Sequence, residues 1–189
     1  MGEFERGFKT WAERTAVALR NELGVTAGAA LQVARLAAYL DVRLWTPNDV
    51  PGLPAQTRDQ LLIHDPGGWS AVACTVAGQC TIIHNPQHSP ARQASNISHE
   101  LAHIILDHEP GKIVLSQDGG MIMRSYNEKQ EEEANWLGWC LLLPREALVY
   151  AKKARLSVAQ IAQQFGVSEQ LATYRIGITG INTQFRSAK

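Results

Sequence analysis

Residues 95–108 read SNISHELAHIILDH, and within them His99, Glu100 and His103 form the pattern H-E-x-x-H. Residues four apart on an α-helix lie one above the other on the same face. His99 and His103 can therefore aim both imidazoles at one point and hold a zinc ion there. Glu100 stands one residue round the helix, beside that point. Its carboxylate is placed to take a proton from a zinc-bound water, whose pKa the ion brings towards ~7, and to pass it to a leaving amine. That is the chemistry of peptide hydrolysis without a covalent intermediate, with Glu100 as the catalytic base and Zn2+ as the cofactor.

Such a pair of imidazoles needs a helix under it. Ile97, Leu101, Ile104 and Ile105 recur at helical spacing, which predicts an amphipathic helix packed on a core, with Ser95, Asn96 or Ser98 as the residue capping its start. Zinc also needs a third protein ligand while keeping one position open. Asp107 lies eight residues from His99, a rise of ~12 Å, too far to share an ion whose bonds are about 2 Å. His108 does not continue the motif either, because Leu106 stands where the longer H-E-x-x-H-x-x-G-x-x-H pattern has glycine. The third ligand must come from another segment.

Residues 131–144, EEEANWLGWCLLLP, predict a second apolar helix that opens with three carboxylates. Glu131, Ala134, Asn135, Gly138, Leu141 and Leu142 fall on one face, and the small residues among them allow two helices to approach closely. Glu131 is therefore the leading third ligand. Asn135, one turn on, is placed to hydrogen-bond a ligand imidazole from behind. Glu133, about 160° round the helix from Glu131, is the alternative ligand if another face points inward. All three carboxylates also simply favour a helix N-terminus.

With Arg92-Gln93, the run 97–106 (ISHELAHIIL), Glu131, Glu133-Ala134-Asn135 and the closing Leu141-Leu142-Leu143-Pro144, the chain resembles the ImmA/IrrE family of metallo-endopeptidases over roughly residues 25–182. The resemblance implies an α+β, zincin-like metalloprotease with a small antiparallel sheet and helix-turn-helix-like C-terminal helices. It implies zinc on His99, His103 and Glu131, with Glu100 as general base. It also implies the substrate: a helix-turn-helix transcriptional repressor encoded beside the protease, whose cleavage derepresses phage, mobile-element, stress or defence genes. Leu137-Gly138 and Ala94-Ser95-Asn96 depart from the family's usual Phe-Ala and Arg-Phe-Thr, which bears on the substrate cleft more than on the metal.

Composition sets the frame. The 189 residues are 45% hydrophobic and 19% charged, ordinary globular values, and suffice for one domain or one with a small appendage. Lys plus Arg and Asp plus Glu are equal at 18 each, so no global field attracts nucleic acid or an anionic membrane. The apolar runs are too short to span a bilayer, and the first 25 residues carry Glu3, Glu5, Glu13 and Glu22 rather than a signal peptide's apolar stretch. The expectation is a cytoplasmic protein. Cys74, Cys80 and Cys140 form no metal-site spacing and fit a reducing compartment. They are expected to be small buried hydrophobes, with zinc blockade by one of them as a further idea.

Around the two motif helices the pattern predicts an N-terminal helix over residues 3–22 ended by Gly24, a second helix from about Ala27 to Leu40, and a short strand near Val42–Trp45. Trp11 and Trp45 are expected as packing anchors. Residues 71–76 and 80–85 predict a hairpin turning at Ala77-Gly78. By the zincin resemblance, the strand 80–85 is expected to be the sheet edge along which substrate lies extended, with Ile83 and His84 as substrate-binding positions. His84 and His88 are candidate transition-state donors, and Tyr126 a candidate oxyanion donor. Residues 104–130, with turn signals at Glu109-Pro110-Gly111 and Asp118-Gly119-Gly120 and a possible strand at Met121-Ile122-Met123, are a candidate lid.

Residues 1–144 are expected to form the protease domain and 145–189 a helical unit. Ser157 to Ala172 has the helix, glycine turn and capped helix of a helix-turn-helix, with Ser157 and Ser168 as caps. Residues 145–189 hold seven Lys or Arg against two acids, so DNA is a conceivable effector. Two functions follow: a zinc endopeptidase acting on a repressor, or a non-cleaving regulator with a zincin fold that binds DNA or a protein partner through its C-terminal helices. The intact pair of histidines with Glu100 favours the enzyme.

Overall fold

The computed structural model of the chain describes residues 4–108, 113–115, 122–124 and 127–186. In chain order these form α1 (Phe8–Glu22), α2 (Val33–Tyr39), β1 (Arg43–Trp45), a 3-10 turn (Pro47–Asp49), and α3 (Ala55–Asp59) running into a π-turn (Gln60–His64). There follow β2 (Ala71–Val76), β3 (Gln79–His84), α4 (Pro90–Ile105), β4 (Ile113–Leu115), β5 (Ile122–Arg124) and α5 (Glu128–Leu142). α6 (Arg145–Lys153), α7 (Val158–Phe165), α8 (Glu169–Ile178) and α9 (Ile181–Arg186) complete the chain. Glu109 to Gly111, Asp118 to Met121 and Tyr126, singled out above as turn, strand and oxyanion candidates, lie outside or only partly within the described residues.

α4 starts earlier than the apolar periodicity suggests. Ser89 caps it, its Oγ accepting from Arg92 N at 3.4 Å, and Pro90 takes the first helical position. Proline suits that position because its missing N–H would have no partner there anyway. Ser95, Asn96 and Ser98 consequently lie inside the helix.

The three-stranded sheet is mixed rather than antiparallel, with strand order β1-β3-β2. β2 and β3 form the expected hairpin, turning through Ala77 (φ 51°) and Gly78 (φ 80°). Two successive residues at positive φ are what a two-residue hairpin loop requires. β1, however, pairs with β3 in parallel, Leu44 opposite Ile82. Strand β3 therefore lies in the middle and is paired on both sides over residues 81–83, Ile83 included, so that stretch is not the free sheet edge expected of residues 80–85. Local turn chemistry identifies a hairpin, but which third strand joins it, and on which side, depends on contacts distant in sequence.

The hairpin also shows where an edge does lie. Val76 and Gln79 flank the turn as a bonded pair, so alternation points the backbone groups of Val72, Cys74 and Val76 towards β3 and those of Ala71, Ala73 and Thr75 outwards. Asn85 N donating to Ser70 O at 2.9 Å continues that alternation. Among the described residues no strand pairs with the outer side of β2, where Ala73 N donates to Glu100 of α4.

One apolar cluster joins Ala12 and Ala16 of α1, Leu36 of α2, Ile82 of β3, Ile97 and Leu101 of α4 and Ala134, Leu137 and Leu141 of α5. A second begins at Leu142 and Leu143 and runs through Leu148, Ile161, Phe165 and Ile176 to Ile181. Ile181 is fully buried and opens α9, so this last helix contributes to the core. Trp11, by contrast, is 42% exposed and stacks on Phe8 at the surface instead of anchoring the interior.

α5 runs through both clusters and its C-terminal carbonyls are held by two buried arginines. Arg20 of α1 donates to Leu141 O at 3.2 Å and to Ala29 O at 2.5 Å. Arg175 of α8 donates through Nε to Leu143 O at 3.0 Å and pairs with Glu13 at 2.6 Å. Cations at the negative end of a helix dipole meet carbonyls that have no partner within the helix.

α4 and α5 form the most extensive helix pair. A Cβ added at Gly138 would sit 3.2 Å from Ser98 O and 3.3 Å from His99 Cα and N, all backbone atoms of α4. Gly138→Ala is therefore expected to push the helices apart and destabilise the chain by about 1–3 kcal/mol, the usual cost of overpacking. Gly177, also helical and with open space around its Cβ position, is expected to gain about 0.4–1 kcal/mol on the same substitution through reduced unfolded-state entropy. Denaturant titration of both variants checks the opposite signs.

Candidate metal centre

The close approach at Gly138 sets Glu131, two turns earlier on α5, against the two histidines of α4. His99 Nε2 lies 3.2 Å from Glu131 Oε2, His103 Nε2 3.6 Å from Glu131 Oε1, and the two Nε2 atoms are 3.1 Å apart. Among the described residues this is the one set of three His, Cys, Asp or Glu side chains whose donor atoms converge as for an ion. All three side chains are partly buried. A tetrahedral ion with bonds of about 2.0–2.1 Å has ligand atoms about 3.3 Å apart; the two imidazole nitrogens are 3.1 Å apart, and each lies near that distance from one of the two Glu131 oxygens.

The backs of the rings agree with that use of the fronts. Asn135 Oδ1 stands 3.1 Å from His99 Nδ1. An amide oxygen only accepts, so His99 Nδ1 carries the proton and Nε2 keeps a lone pair directed at the cluster. Two imidazole lone pairs and a carboxylate facing one another at these distances repel unless a cation lies between them. The residues fit a divalent ion such as zinc.

Glu133, the alternative third ligand, is not in this set. Its Oε2 lies 3.4 Å from His108 Nε2, and Lys129 stands 3.9 Å from its other oxygen. Glu100 is 5% exposed and its Oε2 accepts from Ala73 N at 3.0 Å. The acid of H-E-x-x-H is thus tied to an outward-pointing N–H of the free edge of β2. Nothing in the sequence could flag that partner, because the donor is main chain and its orientation depends on strand register.

The other candidates separate. His88 is 9% exposed and sits with Nδ1 3.0 Å from Asn96 and Nε2 3.5 Å from Asn85, inside the loop that enters α4. His84 is half-buried on the face of β3 shared with Ile82, and burial pushes its pKa below the ordinary value. Cys140 is fully buried, and desolvation pushes its thiol up to about 12. Cys74 and Cys80 lie on β2 and β3 with thiols raised by burial, and no cysteine joins the cluster.

A family model described as the IrrE N-terminal-like domain, Peptidase_M78, matches residues 67–177, a span that contains every residue of the cluster. Among solved structures, a Mycobacterium tuberculosis transcriptional regulator aligns with 92% of this chain at 17% identity and a TM-score of 0.53. The alignment covers 47% of that protein, so the chain spans about half its length, and the likeness is one of fold. No curated protein matches the chain.

If the cluster binds zinc, then zinc at about 100 times its Kd raises stability by ~2.7 kcal/mol. Thermal denaturation with and without the ion, after chelator treatment, is expected to show an increase in Tm for the unsubstituted chain and none for His103→Ala or Glu131→Gln.

Proposed function

The chain belongs to the IrrE N-terminal-like peptidase family, M78, and from that premise we propose that it is a zinc-dependent endopeptidase whose substrate is a helix-turn-helix transcriptional repressor encoded beside it. Cleavage of that repressor would release phage, stress or defence genes. The observation that carries the reading is the convergence of His99 and His103, on the helix that also bears Glu100, with Glu131 of α5, their donor atoms within 4.8 Å of one another.

In this reading His99 and His103, through Nε2, and Glu131 hold the metal. A zinc ion bound there supplies Lewis-acid polarisation of the scissile carbonyl and acidifies the attacking water. Glu100 is the base that takes the water's proton and the acid that returns it to the departing amine nitrogen. The Ala73 N–H fixes its carboxylate, so the proton acceptor is oriented before substrate arrives. Asn135 holds His99 in the tautomer that leaves Nε2 unprotonated.

The free side of β2 is the better docking line for substrate than β3. Outward N–H and C=O groups of Ala71 and Thr75, with the C=O of Ala73, can accept an extended peptide as an added strand, while the Ala73 N–H stays with Glu100. A peptide paired there passes beside Glu100, whose carboxylate already bonds to that edge. An extended substrate implies that the cleaved segment of the repressor is a linker or a locally unfolded stretch, since helical backbone has no outward hydrogen-bonding groups.

The alternative, a regulator acting through its C-terminal helices without cutting, draws on the local excess of positive charge. The placement of those charges weakens it. α7 and α8 are capped by Ser157 and Ser168 and joined at Gly166 (φ 65°) as a helix-turn-helix pair would be. Yet Arg175, the cation of α8, is fully buried against Glu13 and Leu143. The exposed positions of α8 are Glu169, Gln170, Thr173, Tyr174 and Gly177, which offer no positive charge to phosphate. Lys153 and Arg155 are exposed at the end of α6 instead.

Glu100→Gln is expected to keep zinc while lowering the rate of repressor cleavage by about 10²–10⁴-fold, the usual contribution of general acid–base catalysis. Incubation of each protein with the neighbouring repressor, read on a gel, checks it. Equal repressor loss with both proteins would reject catalysis at this site, and intact repressor with both, alongside a gel shift of operator DNA by the unsubstituted chain, would favour the non-cleaving regulator.

A further inference from the structure

α4 does not simply stop at Ile105. His108 N donates to His103 O at 3.0 Å and Asp107 N to Ile104 O at 3.1 Å, with Asp107 in the left-handed region at φ 52°. These are the two bonds of a Schellman turn, which reverses the chain at a helix C-terminus and lays the second residue past the cap over the last turn. Ordinarily the contact made there is apolar. Here it is His108 on His103: the ring centroids are 5.0 Å apart and the two Nδ1 atoms 2.9 Å apart.

A contact between two Nδ1 atoms has one proton to share, and which ring owns it decides whether His103 can hold a metal. If His108 donated, a neutral His103 would carry its proton on Nε2, and the lone pair facing Glu131 and His99 would be lost. His108 Nε2 lies 3.4 Å from Glu133 Oε2. A carboxylate only accepts, so it draws the His108 proton to Nε2 and leaves Nδ1 of that ring as an acceptor. His103 then donates from Nδ1 and presents Nε2 to the cluster. His108 and Glu133 are 7% and 12% exposed at their side chains, which keeps water from competing for these bonds.

We propose that His108 and Glu133 form a positioning pair that selects the metal-binding tautomer of His103 and fixes its ring, as Asn135 does for His99. This rests on the metal reading of the cluster and gives a role to two residues that lie outside the converging set. Glu131, Glu133 and Asn135 all come from α5, though Glu133 is nearly opposite Glu131 round the helix. The Schellman turn makes this possible, because it carries His108 off the α4 axis to the side where Glu133 projects.

The test uses the whole chain, with zinc affinity from chelator competition and the visible absorption of the cobalt(II)-substituted protein as readouts. His108→Leu removes the acceptor behind His103 and is expected to weaken zinc binding about 10–100-fold and to shift the cobalt bands. His108→Asn places an amide oxygen where Nδ1 was and is expected to recover most of that affinity. Glu133→Gln, which weakens the hold on the His108 tautomer, is expected to fall between them and serves if His108→Leu does not fold. Zinc binding by His108→Leu as tight as that of the unsubstituted chain, or an equal loss in His108→Asn, would overturn the pair. An unchanged cobalt spectrum in Glu133→Gln would do the same. Absence of zinc binding by the unsubstituted chain would instead remove the metal centre itself, and this inference with it.

Discussion

Glu131 reaches the two histidines because α5 lies against α4 with no side chain between them at position 138. A methyl group there would meet the backbone of Ser98 and His99 at 3.2–3.3 Å, and His99 is itself one of the converging residues. Cores are close-packed, so a few tenths of an ångström at such a crossing are passed on to whatever the helices carry. The separations among the three donor groups, between 3.1 and 3.6 Å, leave little tolerance. The convergence of the three side chains is in this sense a property of the helix crossing before it is a property of the residues themselves.

The rest of the chain holds that crossing in place from outside. Arg20 and Arg175 draw the C-terminal carbonyls of α5 towards α1 and α8, and Glu13 of α1 bonds both to Arg175 and to the backbone N of Arg145 at the start of α6. Removing one partner from a buried pair of this kind leaves a charge without compensation, which is costly. The C-terminal helices therefore act on α5 through buried arginine contacts and through the apolar cluster that starts at Leu142 and Leu143. Their resemblance to a DNA-reading unit in sequence rests on the caps at Ser157 and Ser168 and the turn at Gly166.

Around the cluster, each polar group has a second task set by its neighbour. Ala73 orients Glu100, Asn135 orients His99, and His108 contacts His103. In the proposed reaction, a carboxylate oriented in advance and rings held in one tautomer would reduce the reorganisation needed when charge develops. In the proposed reaction the outer edge of β2 beside Glu100 would be the line along which an extended peptide lies, with the Ala73 N–H already committed to the Glu100 carboxylate.

The amino-acid sequence by itself determined the pieces with local causes. H-E-x-x-H on an amphipathic helix, the face of α5 carrying Glu131, Asn135 and Gly138, the Ala77-Gly78 hairpin turn, and the caps at Ser157 and Ser168 all follow from spacing, propensity and side-chain chemistry within a few residues. Only the tertiary structure decided what depends on distant partners. It placed β1 beside β3 and so moved the free edge to β2. It buried Arg175 against Glu13 and Ile181 in the core, and it turned the chain after α4 so that His108 fell on His103 and not into solvent. Periodicity registers which face of an element is apolar but carries no record of what that face meets, nor of where a backbone N–H points once strands have chosen their register.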